Sequence, residues 1–384
     1  MAEHQGGKKK GKVRRFYDYS LVFTIIFLTV FGLVMIYSSS SYSAQLAYKG
    51  DDFHFVRRQG FIALGGLVLM LMISKVDYHF WARFAKLAYI LSYIMMFLVM
   101  TVGIELNGQR RWLGIGGLSF QPTEFVKIAL ILHLAVVIVK LGKRVDQNEG
   151  LMAIAIRTFP IGAIVAINNL SSGLIIMGIG LVMAFVASKK KAPFIICAVI
   201  GLTAYFSAGP IVEFIYNKDP DIGYRLSRIL VWQDPEAFAS GGGYQVLQGL
   251  YAIGSGGLWG KGLGESVQKL GFLPEAQNDM IFSIICEELG LFGAVSVILV
   301  FLFMIYRFMI IANNAPDLLG AMIAVGVMGH IAIQVILNIA VVTNTIPNTG
   351  ITLPFISYGG TSVLFLMAEM GLVLGVSNQI KLER

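Results

Sequence analysis

The sequence predicts an all-α polytopic membrane protein with about ten transmembrane helices, and three observations support this fold class. The 384 residues are 56% hydrophobic and only 14% charged, whereas soluble domains carry about a quarter charged residues. Their mean hydropathy is +0.74. The apolar runs are long and do not alternate with polar residues, which favours helices because backbone groups in hydrocarbon must bond within their own segment.

Ten apolar runs are long enough to be interpreted as spans. They lie near 19–37, 59–74, 83–102, 122–140, 151–168, 171–188, 193–209, 280–306, 318–342 and 357–377. An even number of spans puts both termini on one side of the membrane. The predicted organisation is therefore a tail at 1–18, a ten-helix membrane domain at 19–377 and a short tail at 378–384.

Basic residues predict that this shared side is the cytoplasm. The residues before the first span include Lys8, Lys9, Lys10, Lys12, Arg14 and Arg15. The turns predicted on the same side carry Lys75, Lys140, Lys143, Arg144, Lys189, Lys190, Lys191 and Arg307. Short cytoplasmic loops are enriched in Lys and Arg, and a basic tail is attracted to anionic lipid. No folded soluble domain accompanies the tail, so nucleic acid is not an expected partner.

The opposite, extracytoplasmic side receives segments 38–56, 103–121, 210–279 and 343–356. Segment 210–279, between spans 7 and 8, is by far the longest. It contains many aromatic residues and a glycine-rich stretch from Gly241 to Gly264. This composition predicts a folded cap with amphipathic helices rather than a linker.

Asp279 ends the long external loop and immediately precedes the apolar run that begins at Met280. A carboxylate at the boundary between water and membrane suits acid or base catalysis, because partial burial moves its pKa toward neutrality. The same position also suits a structural role at a helix N-terminus, where Asp is common. Position alone leaves both interpretations open.

Charged residues near other span ends form two groups on the same predicted side. Glu124 and Lys127 lie three residues apart in the first turns of a helix that starts at Pro122, so they share a face and can pair. The pair alone favours a structural ion pair near the membrane surface, whereas Arg111, a cation on the same side, favours a functional site. A second group comprises Arg225, Arg228, Lys261 and Lys269. These cations are either solvated or bind an anionic ligand such as phosphate.

Polar residues inside the apolar runs have two interpretations. They are Glu287, Glu288, Glu369 and His330. A transporter uses such groups as proton relays, whereas a single acid or His more often makes a packing hydrogen bond. Pro354, Gly359 and Gly360 predict a broken or closely packed helix at the last external loop.

The ordered motifs of this chain resemble those of the SEDS family of bacterial cell-wall polymerases, whose members include FtsW, RodA and SpoVE. The matching residues are Asn107-Gly108, Arg111-Trp112, Gln121-Pro-Thr-Glu124 with Lys127, Asn169-Leu-Ser-Ser-Gly173, Gly243-Tyr-Gln245, Gly260-Lys-Gly-Leu-Gly264, Leu273-Pro-Glu-Ala276, Asp279-Met-Ile-Phe282, Glu287-Glu-Leu-Gly290 and Thr352-Leu-Pro-Phe-Ile-Ser-Tyr-Gly-Gly360. Ala276 and Thr352 resemble FtsW or SpoVE more than RodA. The chain departs from the pattern at Gln277-Asn278, where many relatives have His-Thr.

The resemblance implies a peptidoglycan glycosyltransferase that polymerises lipid II, an undecaprenyl-pyrophosphate disaccharide-pentapeptide, for septal wall synthesis. The family's essential Asp corresponds to Asp279. Direct displacement with inversion needs no second catalytic carboxylate, and Asp279 is expected to act as the general base or as the group that orients the acceptor hydroxyl. Arg111 and Lys127, with Glu124 holding Lys127, are expected to support the pyrophosphate, and Arg225 and Arg228 are further candidate phosphate contacts. No cofactor is certain, and a divalent cation (Mg²⁺ or Mn²⁺) is an alternative source of positive charge.

The family also implies a location and partners. The enzyme is expected in the bacterial cytoplasmic membrane, with both termini cytoplasmic and the active site outside. A class B penicillin-binding protein and other divisome proteins are the expected partners. Two alternatives remain open: a transporter that flips a polyprenyl-linked precursor, and a non-catalytic scaffold for a transpeptidase.

Overall fold

The protein is a helical bundle with a small extended segment at one end. The computed structural model describes residues 16–106, 109–115, 118–218 and 223–381. Its helices are α1 (Tyr19–Ala47), α2 (His54–Lys75), α3 (Tyr78–Arg83), α4 (Ala85–Val102), α5 (Pro122–Leu141), α6 (Asn148–Asn168), α7 (Leu170–Ala187), α8 (Ala192–Lys218), α9 (Gly223–Gln233), α10 (Tyr244–Gly256), α11 (Ile281–Asn313), α12 (Leu318–Val342) and α13 (Ser362–Ser377). The three strands are β1 (Ile104–Leu106), β2 (Gln109–Ile115) and β3 (Leu118–Phe120).

Each of the ten predicted apolar runs contains a long helix, which confirms the fold class. Nine helices of the described chain are long and apolar enough to cross a membrane, and the tenth, α13, has 16 residues. The third predicted span begins with the separate short helix α3, because the backbone is not helical at Phe84. Helix α8 continues to Lys218 with Pro210 inside it, so the long external connection starts later than the sequence predicts.

Both termini of the described chain lie at the same end of the bundle. The amide of Phe16 donates to the carbonyl of Ile380 at 2.9 Å, and the amide of Asp18 donates to Ser377 Oγ at 3.0 Å. Arg307, near the end of α11, pairs with Asp18 at 2.8 Å. The start of α11, where Asp279 lies, is therefore at the opposite end of the bundle.

Helices α5 and α12 form the centre of the bundle, and α8 lies at its edge. In their most apolar windows, 61% of the residues of α5 and α12 are buried, compared with 11% in α8. Large apolar side chains such as Ile200 and Phe206 are exposed on α8. A helix that is apolar on its exposed faces fits lipid as its surroundings. The best-packed helices are therefore those next to the candidate site.

The segment between α4 and α5 is a small antiparallel sheet that the sequence did not reveal. Strands β1, β2 and β3 pair in that order, with Glu105 opposite Arg110 and Gly114 opposite Ser119. Strand β2 carries Arg111 and contacts α4, α5 and α6. The matching residues Asn107 and Gly108 lie outside the described residues.

Candidate active site

Asp279 lies in a buried position where the external connection enters helix α11. Its side chain is only 7% exposed. The N-cap residue of α11 is Met280, and no side chain caps the helix there. Asp279 is therefore not the capping residue, although it lies directly before the N-terminus of α11. A buried carboxylate that does not cap a helix must be explained by its other surroundings.

The environment of Asp279 raises its pKa from the ordinary value of 3.8 to about 7. Burial is the main cause, and the neighbouring Glu275 carboxylate adds to it, whereas Arg228 and the backbone N–H groups of Asp279 and Met280 act in the opposite direction. Among the described residues, Oδ1 of Asp279 has no hydrogen-bond partner although it is buried. This oxygen is thus ready to accept a proton near neutral pH.

Two loops pack together around Asp279. The amide of Tyr358 donates to the carbonyl of Gln277 at 2.9 Å, and Asn338 Nδ2 donates to the carbonyl of Asp279 at 2.8 Å. A Cβ atom added to Gly350, whose φ is +68°, would lie 3.8 Å from Asp279 Oδ2. The connection between α12 and α13, where the sequence predicted a broken or closely packed helix, therefore passes directly beside the carboxylate.

Arg228 joins this site from α9. Its Nη1 donates to the carbonyl of Asn348 at 3.0 Å, and Asn348 Nδ2 donates to Gln245 Oε1 on α10 at 3.0 Å. Both helices lie in the long connection between α8 and α11, so the prediction that this segment is folded and helical is confirmed. Arg225 also lies on α9, but its side chain is outside the part of the chain that the structure describes.

The predicted pair of Glu124 and Lys127 is confirmed. Lys127 Nζ lies 2.8 Å from Glu124 Oε1, and the two side chains are 3% and 13% exposed. Glu124 also lines a small cavity with Gln334, Thr352 and Ser357. The ion pair is therefore a neutralised, buried element at the edge of the loop that passes Asp279.

Arg111 lies at the junction of α6 and α7. Its Nε donates to the carbonyl of Asn168 at 3.2 Å. Ser171, at the start of α7, donates from Oγ to the carbonyl of Thr349 at 2.7 Å. Because Thr349 precedes the glycine beside Asp279, this junction and the site share one loop. Arg111 therefore lies at the same end of the bundle as Asp279, one loop away from it.

Lys261 and Lys269 do not behave as the ligand-binding cations that the sequence suggested. Lys261 Nζ lies 2.6 Å from Glu287 Oε1, and Lys269 Nζ lies 2.9 Å from Glu288 Oε1. Both acids are fully buried. Buried charges require a partner of opposite sign, so these lysines neutralise the two buried acids of α11.

The same two acids hold the connection that carries Asp279. Glu287 accepts hydrogen bonds from Ser266 Oγ and from the backbone amide of Val267, the latter at 3.2 Å. Ser38 on α1 donates to Glu288 at 2.6 Å. Glu287 and Glu288 are thus packing and positioning groups rather than members of a relay. The sequence left this alternative open, and the contacts favour it.

Helix α11 is broken at Gly290, and the connection docks into the break. The backbone of Gly290 has φ 65° and ψ −166°, a region essentially restricted to glycine. The freed carbonyls of Glu287 and Glu288 accept from the amides of Lys261 and Gly262 at 2.9 and 3.0 Å. The amides of Leu291 and Phe292 donate to the carbonyls of Gly257 and Leu258 at 2.9 and 3.3 Å. These four hydrogen bonds satisfy the interrupted backbone.

Comparisons with known proteins agree with this architecture. Residues 19–382 match the family described as cell cycle protein, whose model is that of FtsW, RodA and SpoVE. Stage V sporulation protein E of Bacillus subtilis (strain 168) is 40% identical over 365 residues, 94% of this chain and 96% of that protein. The probable peptidoglycan glycosyltransferase FtsW of the same organism is 36% identical over 374 residues, 96% of this chain and 93% of that protein.

Solved structures show the same fold. A chain of a peptidoglycan synthase complex, studied for the coordination of polymerization and crosslinking, superposes with a TM-score of 0.74 at 26% identity, covering 95% of this chain and 98% of its own. The rod shape determining protein RodA of Thermus thermophilus gives a TM-score of 0.66 at 26% identity, covering 96% and 98%.

Proposed function

This chain belongs to the cell cycle protein family of FtsW, RodA and SpoVE, and on that premise we propose that it is a peptidoglycan glycosyltransferase. Its relatives named FtsW are described as probable peptidoglycan glycosyltransferases. The substrate is lipid II, and the product is a glycan strand for the septal cell wall. The relative named for stage V sporulation makes sporulation the second setting for the same chemistry.

The observation that carries this proposal is the state of Asp279. The carboxylate is 7% exposed, its pKa is raised to about 7, and Oδ1 accepts no hydrogen bond from the described residues. A group with these properties suits a general base at neutral pH, because its raised pKa makes it a stronger base than an ordinary Asp while leaving about half of it ionised near pH 7. Glu275 beside it is exposed, so the pair does not form two equivalent buried acids.

The reaction balances with Asp279 as the only base. Asp279 takes the proton of an acceptor sugar hydroxyl while the oxygen attacks the anomeric carbon of the donor. The bond between that carbon and the pyrophosphate oxygen breaks, and polyprenyl pyrophosphate leaves with the electron pair. The configuration at carbon inverts, so an α-linked donor gives a β-linked product without a covalent enzyme intermediate. Base catalysis of this kind contributes about 10²–10⁴-fold.

Positive charge is needed where the pyrophosphate develops. Arg228 is the cation whose field reaches Asp279, so we assign it to the phosphates, with Arg225 on the same helix. Arg111 contributes from β2. Lys127 is paired with Glu124, so its role is to stabilise the edge of the site.

A divalent cation fits this site only in part. Among the described residues, no group of three His, Cys, Asp or Glu side chains converges to hold a metal. Mg²⁺ is commonly held by one or two carboxylates together with substrate phosphates. Glu275, which is exposed, and the substrate phosphates would supply the ligands, because Asp279 must stay free to act as the base. The cation would neutralise charge on the departing pyrophosphate.

The location and partner follow from the same family. The described residues of both termini lie at the end of the bundle opposite Asp279, and with termini in the cytoplasm of a bacterium the proposed active site is extracytoplasmic in the inner membrane. The structural relative is part of a peptidoglycan synthase complex, and a class B penicillin-binding protein is the partner we propose for this chain. Lipid-exposed helices provide the surface for such contacts.

The test is polymerisation of labelled lipid II by purified protein, with and without the partner, in detergent. Asp279→Asn is expected to lower the rate by about 10²–10⁴-fold, while Asp234→Asn, an exposed acid of the same external connection, retains the wild-type rate. A flippase makes no new glycosidic bond in detergent, and a scaffold is indifferent to Asp279. Full polymerisation by the Asp279→Asn variant would exclude the assignment.

A further inference from the structure

Three polar residues form a stripe along one face of α12. His330, Gln334 and Asn338 are spaced by four residues, so they lie one above the other on the helix. Their side chains are 1%, 8% and 0% exposed. Polar groups buried this deeply in a membrane helix are costly unless they are hydrogen-bonded, and they mark functional positions more often than other residues of a span.

The two C-terminal residues of this stripe, Gln334 and Asn338, hold the backbone of the loops at the candidate active site. Asn338 Nδ2 donates to the carbonyl of Asp279 at 2.8 Å and to the carbonyl of Ile351 at 2.7 Å. Gln334 Nε2 donates to the carbonyl of Thr352 at 3.0 Å. Ile351 and Thr352 directly follow the glycine that passes beside the Asp279 carboxylate. Two adjacent side chains of one helix therefore connect both sides of the site.

His330, the N-terminal residue of the stripe, fixes the orientation of the Gln334 side chain. A carbonyl only accepts, so the Gln334 amide must point its nitrogen at Thr352 and its oxygen at His330. His330 Nε2, which lies 2.8 Å from Gln334 Oε1, must then carry a hydrogen. His330 Nδ1 lies 2.6 Å from Glu369 Oε2 on α13. This second hydrogen bond holds the ring in the plane that Gln334 requires.

A purely structural role would connect helices to each other. The contact between His330 and Glu369 does so, but the three donors above it go to loop carbonyls at residues 279, 351 and 352. These are the two loops that form the candidate site. Displacement of a catalytic group by about 1 Å can lower a rate by about 100-fold, so such anchors affect catalysis directly.

We propose that the α12 stripe positions the active site: Asn338 and Gln334 are positioning residues for Asp279 and the facing loop, and the Glu369–His330 pair locks Gln334 in its orientation. The inference rests on the proposed function of Asp279. None of the stripe residues touches the reacting atoms. Their effect is on the distance between the Asp279 carboxylate and the acceptor hydroxyl, hence on kcat rather than on the affinity for lipid II.

The experiment measures kcat and KM for lipid II polymerisation with purified variants. Asn338→Leu, which keeps the size of the side chain but removes both donors, is expected to lower kcat by about 100-fold with KM within about twofold of wild type. Gln334→Met is expected to lower kcat as well. The control is Ser92→Ala, which removes a buried hydroxyl that bonds only within α4 and should leave kcat unchanged.

A matched pair at position 369 tests the orientation of Gln334. Glu369→Gln keeps a hydrogen bond to His330 and is expected to retain most of the wild-type kcat, whereas Glu369→Leu removes it and is expected to resemble Gln334→Met. A melting curve reports whether Asn338→Leu folds. If it does not fold, the two Glu369 variants still test the positioning role of the stripe. Equal loss in both Glu369 variants would overturn the locking role.

A double variant separates positioning from general destabilisation. In the Asp279→Asn background, Asn338→Leu should cause no further loss, because there is no base left to position. A further large loss there, or a raised KM with unchanged kcat in the single variant, would overturn the inference. A wild-type protein that makes no glycan would instead refute the proposed function on which the inference rests.

Discussion

The raised pKa of Asp279 predicts how polymerisation depends on pH. The base acts only when ionised, and its pKa is about 7. The ionised fraction is then about one half at pH 7, about one tenth at pH 6 and about one thirtieth at pH 5.5. We expect kcat to decrease about tenfold between pH 7 and pH 5.5–6, and to reach a plateau above pH 8. An ordinary Asp, with a pKa of 3.8, would give a flat profile over this range.

The charges that face Asp279 predict the direction in which the profile moves. The Glu275 carboxylate raises the pKa of Asp279, and Arg228 lowers it. Glu275→Gln should therefore shift the acid limb to lower pH, so that this variant is faster than wild type at pH 6 and similar at pH 8. Arg228→Met should shift the limb to higher pH, in addition to any loss of phosphate binding.

The assay is the initial rate of glycan formation from labelled lipid II at saturating concentration, from pH 5.5 to pH 9. Glu265→Gln, an exposed acid of the same connection, serves as the control for a general change of surface charge. A flat wild-type profile would refute the role of Asp279 as a base with a raised pKa. If the acid limb of the pH profile moved equally in the Glu265 and Glu275 variants, the shift would not come from the charge of Glu275 beside Asp279.

Three further predictions concern stability. Because the pKa of Asp279 rises from 3.8 to about 7 on folding, its ionisation opposes folding increasingly between pH 4 and 7. Asp279→Asn should therefore raise the free energy of unfolding at pH 8 by up to roughly 4 kcal/mol, at 1.36 kcal/mol per unit of pKa shift. Its Tm should be higher than that of the wild type at pH 8 but not at pH 4. An unchanged Tm at pH 8 would contradict this prediction. Lys269→Met leaves the fully buried Glu288 carboxylate without its cation and should cost about 3–5 kcal/mol, much of it recovered in the Lys269→Met/Glu288→Met double variant; denaturant unfolding measures both. Gly290→Ala places a Cβ atom 2.3 Å from a backbone nitrogen of the docked loop and should cost at least about 1–3 kcal/mol and lower polymerisation, whereas Gly201→Ala, which meets nothing within 4 Å, should do neither.

The sequence was sufficient for features that depend on local pattern. Long apolar runs determine where helices cross the membrane, so the ten runs and the shared end of the termini were predicted. The pair of Glu124 and Lys127 was also predictable, because a spacing of three residues puts both on one helix face. The position of Asp279 was predictable for the same reason, since it lies directly before an apolar run.

Features that depend on contacts between distant segments were not predictable. Lys261 and Lys269 looked like loop cations because nothing local indicates that their connection docks on α11. The short strands around Arg111 contain glycines and alternate too briefly to give a period-two signal. The polar stripe could have been found, since His330, Gln334 and Asn338 recur every four residues in an otherwise apolar span. The loop carbonyls to which the stripe donates its hydrogen bonds could not have been predicted, because they belong to segments remote in sequence.

The docking of the external connection into α11 uses main-chain atoms at residues 257, 258, 261 and 262. Gly257 and Gly262 have positive φ and Lys261 pairs with Glu287, so these three positions are restricted, whereas the main-chain hydrogen bond at Leu258 does not depend on its side chain. Leu258 and Trp259 are 57% and 79% exposed, so their side chains can change without releasing the connection. The surface at residues 258 and 259 is therefore free to diverge, and to acquire contacts with lipid or with another protein, while the connection that carries Asp279 stays docked on α11.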